Sequence, residues 1–211
     1  MNIRYTPLGA LEANCIFLTN PDSPDNELIL VDPGDEPDKI IKIIDKNSFK
    51  LIKILLTHGH FDHVGAAESL QSRYSVPVCI HPSDYLLVDA AAEYSAAFGG
   101  YPTKKIGEKT PLLDGEAIDF AGSSIKVIHT PGHTSGSLSF YIEANKIVLT
   151  GDTLFAGGVG RTDLVGAVPD SLFPSIKEKL YCLPEDTEVI AGHGEMTTIG
   201  EEKRSNRFVR G

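Results

Sequence analysis

The stretch Thr57-His58-Gly59-His60-Phe61-Asp62-His63 places four side chains that can bind a metal ion within six positions. It directly follows an apolar run at residues 51–56 that has the character of a β-strand. A strand that ends in such a cluster delivers its ligands together at the edge of a sheet. The pattern therefore predicts one wall of a metal site, and it indicates that other parts of the chain supply the remaining ligands.

Three further candidate ligands each follow a glycine at the end of an apolar run. They are His133, Asp152 and His193, which follow Gly132, Gly151 and Gly192. Glycine lets the chain turn sharply without a side-chain clash. The same ending in three separate runs argues against a histidine-rich surface turn and for one shared site.

Seven candidate ligands are too many for a single ion, because a structural zinc site closes with four. They fit two ions about 3.5–4 Å apart with a hydroxide between them, as in two-metal hydrolytic sites. We assign one ion to His58, His60 and His133. We assign the other to Asp62, His63 and His193, with Asp152 as the bridging carboxylate.

The ligand types indicate which metals the site takes. Imidazole and carboxylate without thiolate suit Zn²⁺ first, with iron or manganese as alternatives. The two cations lower the pKa of the bridging water, so that hydroxide is available as a nucleophile at neutral pH. The sequence therefore predicts a two-metal hydrolytic centre.

Composition restricts the class of protein. The 211 residues fit one domain spanning 1–211, and the net charge of −10 argues against a nucleic-acid partner. There is no N-terminal signal segment and no apolar run near the roughly 20 residues that span a bilayer, so no membrane partner is expected. The cysteines at 15, 79 and 182 are predicted to be buried reduced thiols, which favours the cytoplasm.

The periodicity of apolar residues predicts alternating strands and helices. Strands are predicted at 2–6, 14–19, 28–31, 51–56, 76–80, 116–120, 125–130, 137–142, 146–150 and 188–191. Helices are predicted at 37–46, 64–74, 83–97 (ended by the Gly99-Gly100-Tyr101-Pro102 break), 170–180 with Asp170 or Ser171 as N-cap, and from a cap at Thr197 or Thr198 towards Arg210. This order predicts an α/β protein in which two sheets pack together with helices outside, an αββα sandwich.

The spacing of the motifs resembles that of the metallo-β-lactamase superfamily. The pattern is Thr-His-x-His-x-Asp-His, followed later by Gly-His, Gly-Asp and Gly-His, and it covers nearly the whole chain. The resemblance implies two packed mixed sheets with helices on the outer faces. The pair Asp62-His63 matches the hydrolase branch with two complete metal sites. Because β-lactamases usually differ at this pair, the resemblance points away from antibiotic hydrolysis.

Two segments resemble the glyoxalase II group most closely, residues 130–137 and 150–155. This implies hydrolysis of a small-molecule thioester, such as the glutathione conjugate S-lactoylglutathione, with Asp62 holding the hydroxide in line. Arg161 matches a basic residue that contacts glutathione in that group, although pairing with Asp163 explains it equally well. Only 18 residues follow His193, so a separate C-terminal helical substrate domain is not expected.

Two alternatives stay open. A persulfide dioxygenase resembles the chain in its early motifs and binds one iron through the positions of His58, His133 and Asp152, but it generally departs from the Gly-His-Gly kept here around His193. A catalytically inactive metal-binding protein of the same fold is a second alternative to the hydrolase.

The role of Asp32, at the end of the strand 28–31, is also open. We interpret it either as orienting a ligand histidine or as a turn-forming residue.

Overall fold

The computed structural model describes residues 1–97 and 103–211. The first sheet contains, in spatial order, β1 (Asn2–Leu8), β2 (Ala13–Thr19), β3 (Glu27–Val31), β4 (Lys50–Leu55), β5 (Val78–Ile80) and β6 (Lys109–Pro111). The second contains β7 (Ala117–Phe120), β8 (Ser123–His129), β9 (Leu138–Ile142) and β10 (Ile147–Gly151), followed by β13 (Glu188–Ala191) and β14 (Thr197–Thr198). Strands β11 (Leu154–Phe155) and β12 (Gly158–Val159) form a separate hairpin.

The helices of the described residues lie between these strands in the chain. They are α1 (Pro37–Lys46), α2 (Phe61–Val64), α3 (Ala67–Tyr74), α4 (Tyr85–Ala97), α5 (Pro169–Pro174) and α6 (Ile199–Ser205). A π-helical turn at Ser175–Leu180 continues α5, and short 3₁₀ turns occupy Pro82–Asp84 and Glu143–Asn145. None of the helices within residues 1–97 and 103–211 is long and apolar enough to cross a membrane.

Both sheets are mixed, as predicted. In the first, β1, β2 and β3 pair antiparallel, whereas β3, β4, β5 and β6 pair parallel. In the second, β7 to β10 pair antiparallel, β10 pairs parallel with β13, and β13 pairs antiparallel with β14. The parallel pairs matter for function because their carboxyl ends meet at one edge of each sheet.

The alternation of side chains along the strands produces the layers. In β3, Leu28 and Leu30 pack in the cluster that includes the helices of the first sheet. Ile29 and Val31 point the other way, into a cluster with Phe140 of the second sheet. Because successive residues of a strand face opposite sides, one apolar strand serves both layers.

The outer faces of both sheets are covered by helices. Ile40 and Ile44, one turn apart on α1, are buried against the first sheet. On the second sheet, Val148 and Val189 pack in a cluster with Leu172 of α5. The αββα sandwich predicted from the sequence is confirmed.

Most predicted elements are found within a few residues of their predicted bounds, and α1 matches them fully. The helix predicted at 64–74 is wrong in one respect, because the chain forms α2 and α3 with a break at Gly65 and Ala66. Ala66 N donates to Pro33 O at 2.9 Å, a tertiary hydrogen bond that replaces the helical one. The break predicted at residues 99–102 lies outside the described residues.

The N-cap predicted at Asp170 or Ser171 is also wrong. Helix α5 begins at Pro169 after Val168, which makes no side-chain cap. Proline needs no hydrogen-bond acceptor at the first helical position, and Val168 N donates instead to Gly132 O at 2.9 Å. The hydrogen bond to Gly132 O, rather than a side-chain cap, therefore sets the start of α5.

At the C-terminus the predicted cap at Thr198 is confirmed, since its Oγ1 accepts from Glu201 N at 3.1 Å. The helix ends at Ser205 rather than near Arg210. Asn206 Oδ1 accepts from Phe208 N at 3.0 Å and from Val209 N at 3.2 Å. These bonds turn the chain out of the helix.

Two of the three cysteines are buried as predicted, Cys15 and Cys79. The prediction is wrong for Cys182, which is exposed. The preceding residues Leu180 and Tyr181 are buried. The apolar run around Cys182 therefore packs against the core through these two residues, and Cys182 faces solvent.

We predict that Phe140→Ala destabilises the protein by about 3–5 kcal/mol, because Phe140 is fully buried between the sheets and its removal leaves a cavity. The matched control is Phe208→Ala, since Phe208 is 64% exposed. Urea unfolding measures both free energies. Equal losses for the two variants would contradict the assignment of the inter-sheet core.

Candidate metal centre

The seven candidate ligands all lie at strand ends on one edge of the sandwich. His58, His60, Asp62 and His63 follow β4 and extend into α2. The other three follow β8, β10 and β13 and are His133, Asp152 and His193. The structure thus brings together every ligand that the sequence predicted, from four separate segments.

Hydrogen bonds join the two sheets at this same edge. Asn14, in β2, donates its backbone N–H to Gly192 O at 2.7 Å and its side-chain amide to Ala191 O at 3.0 Å and Gly194 O at 3.1 Å. A second link runs from the second sheet to the loop after β4, where Leu138 N donates to Thr57 O at 2.7 Å. These links fix the distance between ligand segments that belong to different sheets.

Among the described residues, possible ligand atoms form three groups, each with all its members within 4.8 Å of one another. The first contains His58, His60 and His133, the second contains Asp62, His63 and His193, and the third contains Asp32, His58 and His63. His60 Nδ1 lies 2.8 Å from His133 Nε2, and His63 Nε2 lies 3.3 Å from His193 Nε2. The first two groups have the members that the sequence analysis assigned to the two ions.

Asp152 lies between these two groups. Its Oδ1 is 3.4 Å from His63 Nε2, and its Oδ2 is 3.5 Å from His133 Nε2 and 3.7 Å from His193 Nε2. Gly192 makes this approach possible, because a Cβ at that position would overlap Asp152 Oδ1 and lie 2.7 Å from His63 Cε1. The position of Asp152 suits a carboxylate shared by two ions.

Backbone carbonyl groups orient three of the imidazole rings. His133 Nδ1 donates to Arg161 O at 2.7 Å, His60 Nε2 to Val165 O at 3.1 Å, and His193 Nδ1 to Leu11 O at 2.9 Å. A carbonyl oxygen only accepts, so the ring nitrogen beside it must carry the hydrogen. The other nitrogen of each ring is thereby left as a lone pair that faces the centre.

Asp32 orients the remaining two rings. Its carboxylate accepts from Thr57 N at 2.7 Å, from Thr57 Oγ1 at 2.6 Å and from His63 Nδ1 at 3.0 Å. The Thr57 hydroxyl, having donated to Asp32, is an acceptor for His58 Nδ1 at 3.0 Å. Asp32 also has a left-handed φ of 49°, so it forms the turn and orients the ligands at once.

Two polar atoms of the centre test whether these residues fit metal ions. His58 Nε2 and Asp152 Oδ1 are buried with no hydrogen-bond partner among the described residues. Such atoms are destabilising unless something satisfies them. Two nitrogen ligands of one zinc ion lie about 3.3 Å apart, given Zn–N bonds of about 2.0–2.1 Å, and the distance between His63 Nε2 and His193 Nε2 matches this. The imidazole and carboxylate atoms of this centre are therefore chemically suited to divalent cations.

The electrostatics of the two groups differ. Burial lowers the pKa of His58 well below its usual range and that of His60 to about 4, so both rings are neutral and able to act as ligands. Burial also opposes the charged form of His63, but Asp152, Asp62 and Asp32 outweigh it and raise that pKa to about 10. For Asp62, burial alone would raise the pKa, and His63 and His193 instead bring it below its usual value. Three carboxylates thus surround His63, and their negative charge favours a cation at the second group.

The sequence analysis missed Asp84. This buried carboxylate accepts from Gly59 N at 2.9 Å, from Gly136 N at 2.7 Å and from Thr134 Oγ1 at 2.7 Å. It therefore joins the loop that carries His58 and His60 to the loop that follows His133. Burial raises the pKa of Asp84 in spite of these hydrogen bonds. The sequence did contain one signal for Asp84, because this residue lies a few positions after β5, at a further strand end on this edge.

A cleft of about 430 Å³ opens onto the centre. Arg161 lines it, and its guanidinium makes a two-point ion pair with Asp163, with Nε 2.9 Å from Oδ1 and Nη2 2.8 Å from Oδ2. Both side chains are exposed. The structure therefore shows the pairing with Asp163 that the sequence left open, in a position from which Arg161 also faces the cleft.

Known proteins resemble this chain over nearly its whole length. A family model described as "Metallo-beta-lactamase superfamily" matches residues 8–193, a range that contains all seven candidate ligands. The chain is 37% identical over 212 residues to "Hydroxyacylglutathione hydrolase GloC" of Haemophilus influenzae, covering 99% of this chain and 98% of that one.

Two solved structures are similar over nearly the whole chain. One is described as "Crystal structure of BLEG-1 B3 metallo-beta-lactamase", with 35% identity, a TM-score of 0.89 and full coverage of both chains. The other is described as "Crystal structure of TTHA1623 in a di-iron-bound form", with 39% identity, a TM-score of 0.86 and coverage of 96% of this chain and 98% of that one.

We predict that Asp84→Asn weakens metal binding about tenfold or more. An amide presents hydrogens where Gly59 N, Gly136 N or Thr134 Oγ1 now donates, so the two ligand loops lose a shared acceptor. Competition with a chelator measures the affinity, and the control is Asp119→Asn at an exposed carboxylate. Unchanged affinity in Asp84→Asn would show that the ligands hold their positions without this carboxylate.

Proposed function

The chain belongs to the metallo-beta-lactamase superfamily, and we propose that within it the protein is a two-metal hydrolase that cleaves a thioester such as S-lactoylglutathione. One observation carries the proposal: two groups of three ligands share Asp152 at the base of a cleft. Zn²⁺ is the proposed metal, with iron or manganese as alternatives, because the ligands are imidazoles and carboxylates. The likeness to a di-iron structure supports a site for two ions.

The residues of the chain have defined tasks in this reaction. When bound, the two cations supply a hydroxide nucleophile and polarise the acyl carbonyl. Asp62 lines the cleft as an ionised carboxylate, so it would accept a hydrogen bond from the nucleophile and orient it towards the acyl carbon. The hydrogen bonds from the rings to Leu11, Arg161 and Val165 keep the ligand nitrogens in place throughout.

The leaving group suits this centre. A thiol has a pKa of about 8.5, so it departs as a thiolate without a proton from a side chain. The likeness to a protein named as a hydroxyacylglutathione hydrolase supports a thioester substrate. The position of His193, close to Asp62 and His63, supports two ions rather than the single iron of a dioxygenase.

A second candidate function is hydrolysis of a β-lactam. The likeness to a structure described as a B3 metallo-beta-lactamase favours it. Both reactions begin with attack on an acyl carbon, so one centre can serve either. The two differ in the leaving group, because opening a lactam requires protonation of an amine nitrogen.

The deciding experiment combines metal analysis with substrate assays on the purified protein. We expect about two metal ions per chain and release of thiol from S-lactoylglutathione. Glutathione persulfide and a chromogenic cephalosporin serve as the competing substrates. One iron per chain with oxygen consumption would establish the dioxygenase, and faster opening of the cephalosporin would establish the lactamase. Metal binding with no turnover of any substrate would indicate an inactive metal-binding protein.

We predict that Asp152→Ala loses metal from both groups and lowers kcat/KM at least about 100-fold. The reason is that Asp152 lies close to ligands of both groups. Replacing a residue that only hydrogen-bonds to a metal ligand already lowers metal affinity or activity by about 10–100-fold. Metal content and thiol release are measured together, with Asp22→Ala, at an exposed carboxylate, as control. Loss of one ion with full activity would contradict the shared role.

We propose that Arg161 contacts a carboxylate of an anionic thioester in competition with Asp163. Arg161→Ala should then raise KM for S-lactoylglutathione about two- to fivefold with a smaller change in kcat, which is the range for an exposed ion pair. Asp163→Asn should lower KM, because it frees the guanidinium.

The control for this pair is Arg73→Ala, at an exposed arginine paired with Asp45 away from the cleft. If KM stays unchanged in both Arg161→Ala and Asp163→Asn, Arg161 is a structural residue of the loop.

A further inference from the structure

Large apolar side chains stand exposed around the mouth of the cleft. Leu11 is 52% exposed, Val165 59% and Leu164 38%, and all three line the cleft together with the ligands His60 and His133. Leu87 and Tyr94 of α4 line it as well. Whatever occupies this space lies beside the metal centre, so the occupant is the substrate of that centre.

The backbone at two of these residues is held by hydrogen bonds to the ligands. The carbonyl of Leu11 accepts the hydrogen bond of His193, and the carbonyl of Val165 accepts that of His60. The loop around Val165 is held further, because Gly166 O accepts from Ser135 N at 2.8 Å. The apolar side chains are therefore presented from fixed backbone, one beside each group of ligands.

The cleft offers an anionic ligand few side-chain partners apart from the proposed metal ions. Its described lining includes the carboxylates Asp62 and Asp152, which those ions neutralise, and Asp163. Apart from the imidazoles, the cation of that described lining is Arg161, which Asp163 already holds at two points. A glutathione group carries two carboxylates, and the guanidinium that could bind them, that of Arg161, is already paired with Asp163.

We propose that the protein selects thioesters by an apolar acyl group, a hydrocarbon chain of several carbons that packs against Leu11, Leu164 and Val165. This inference rests on the proposed thioester hydrolase and names its substrate class. A cleft of about 430 Å³ lies in the range that encloses small molecules. Burying hydrocarbon against exposed aliphatic side chains removes both surfaces from water, which is favourable without any charge contact.

Binding is measured apart from catalysis. The probes are S-alkyl thioethers of N-acetylcysteamine with two to eight carbons, which cannot be hydrolysed, titrated by calorimetry into the metal-loaded protein. We expect Kd to fall about two- to fourfold per added methylene until the cleft is full. S-Hexylglutathione should bind within about fivefold of the N-acetylcysteamine compound of equal chain length.

Variants locate the effect. Leu11→Ser and Val165→Ser keep the carbonyls that orient His193 and His60, and each should flatten the dependence of Kd on chain length. The matched control is Leu113→Ser, because Leu113 is 47% exposed and is not among the residues that line the cleft. A steep dependence that survives in both cleft variants would overturn the proposal, as would a flat one in the unchanged protein.

The matching thioesters separate this proposal from the function on which it rests. We expect kcat/KM to rise with acyl length in parallel with binding. Cleavage of every thioester at equal rates, with flat binding, would leave the hydrolase standing and overturn the apolar selection. Chain-length-dependent binding without cleavage would overturn the hydrolase and leave the apolar site standing.

Discussion

Five imidazole rings face one another within a few ångströms, and each requires a fixed acceptor behind its outer nitrogen. A ring without one can turn, and its lone pair then points away from the centre. The acceptors are Asp32, the Thr57 hydroxyl and the carbonyls of Leu11, Arg161 and Val165. These groups come from segments far apart in the sequence. The joining of the two sheets at this edge is thus a condition for the centre.

The sequence predicted the layers and the ligands because their signals are local. Consecutive apolar residues such as Leu28 and Ile29 identify a strand buried on both faces, and glycine followed by histidine or aspartate identifies a strand end. The carbonyl acceptors carry no such signal, since any residue has a carbonyl. Asp84 was missed because its partners Gly59 and Thr134 lie 25 and 50 residues away. The break before α3 has a similar cause, a tertiary hydrogen bond to Pro33 O.

The use of backbone carbonyls separates recognition from chemistry. Leu11 and Val165 orient His193 and His60 through their carbonyls, while their side chains face the cleft. A change of side chain at either position alters what the cleft binds and leaves the acceptor in place. Arg161 follows the same rule, because its carbonyl orients His133 and its guanidinium faces solvent. A centre built in this way can keep its ligands while its substrate changes.

Asp32 and Asp84 show why the fold uses carboxylates at the joints of the centre. Each accepts three hydrogen bonds, Asp32 from the stretch 57–63 and Asp84 from two different loops, and the oxygen of a neutral amide cannot accept so many. Buried charge is destabilising when it stands alone, and the orphaned atoms of His58 and Asp152 add to that burden. Divalent cations bound by these residues would satisfy those atoms and balance the charge. Since only the folded chain assembles these ligands, such ions and the fold would stabilise each other.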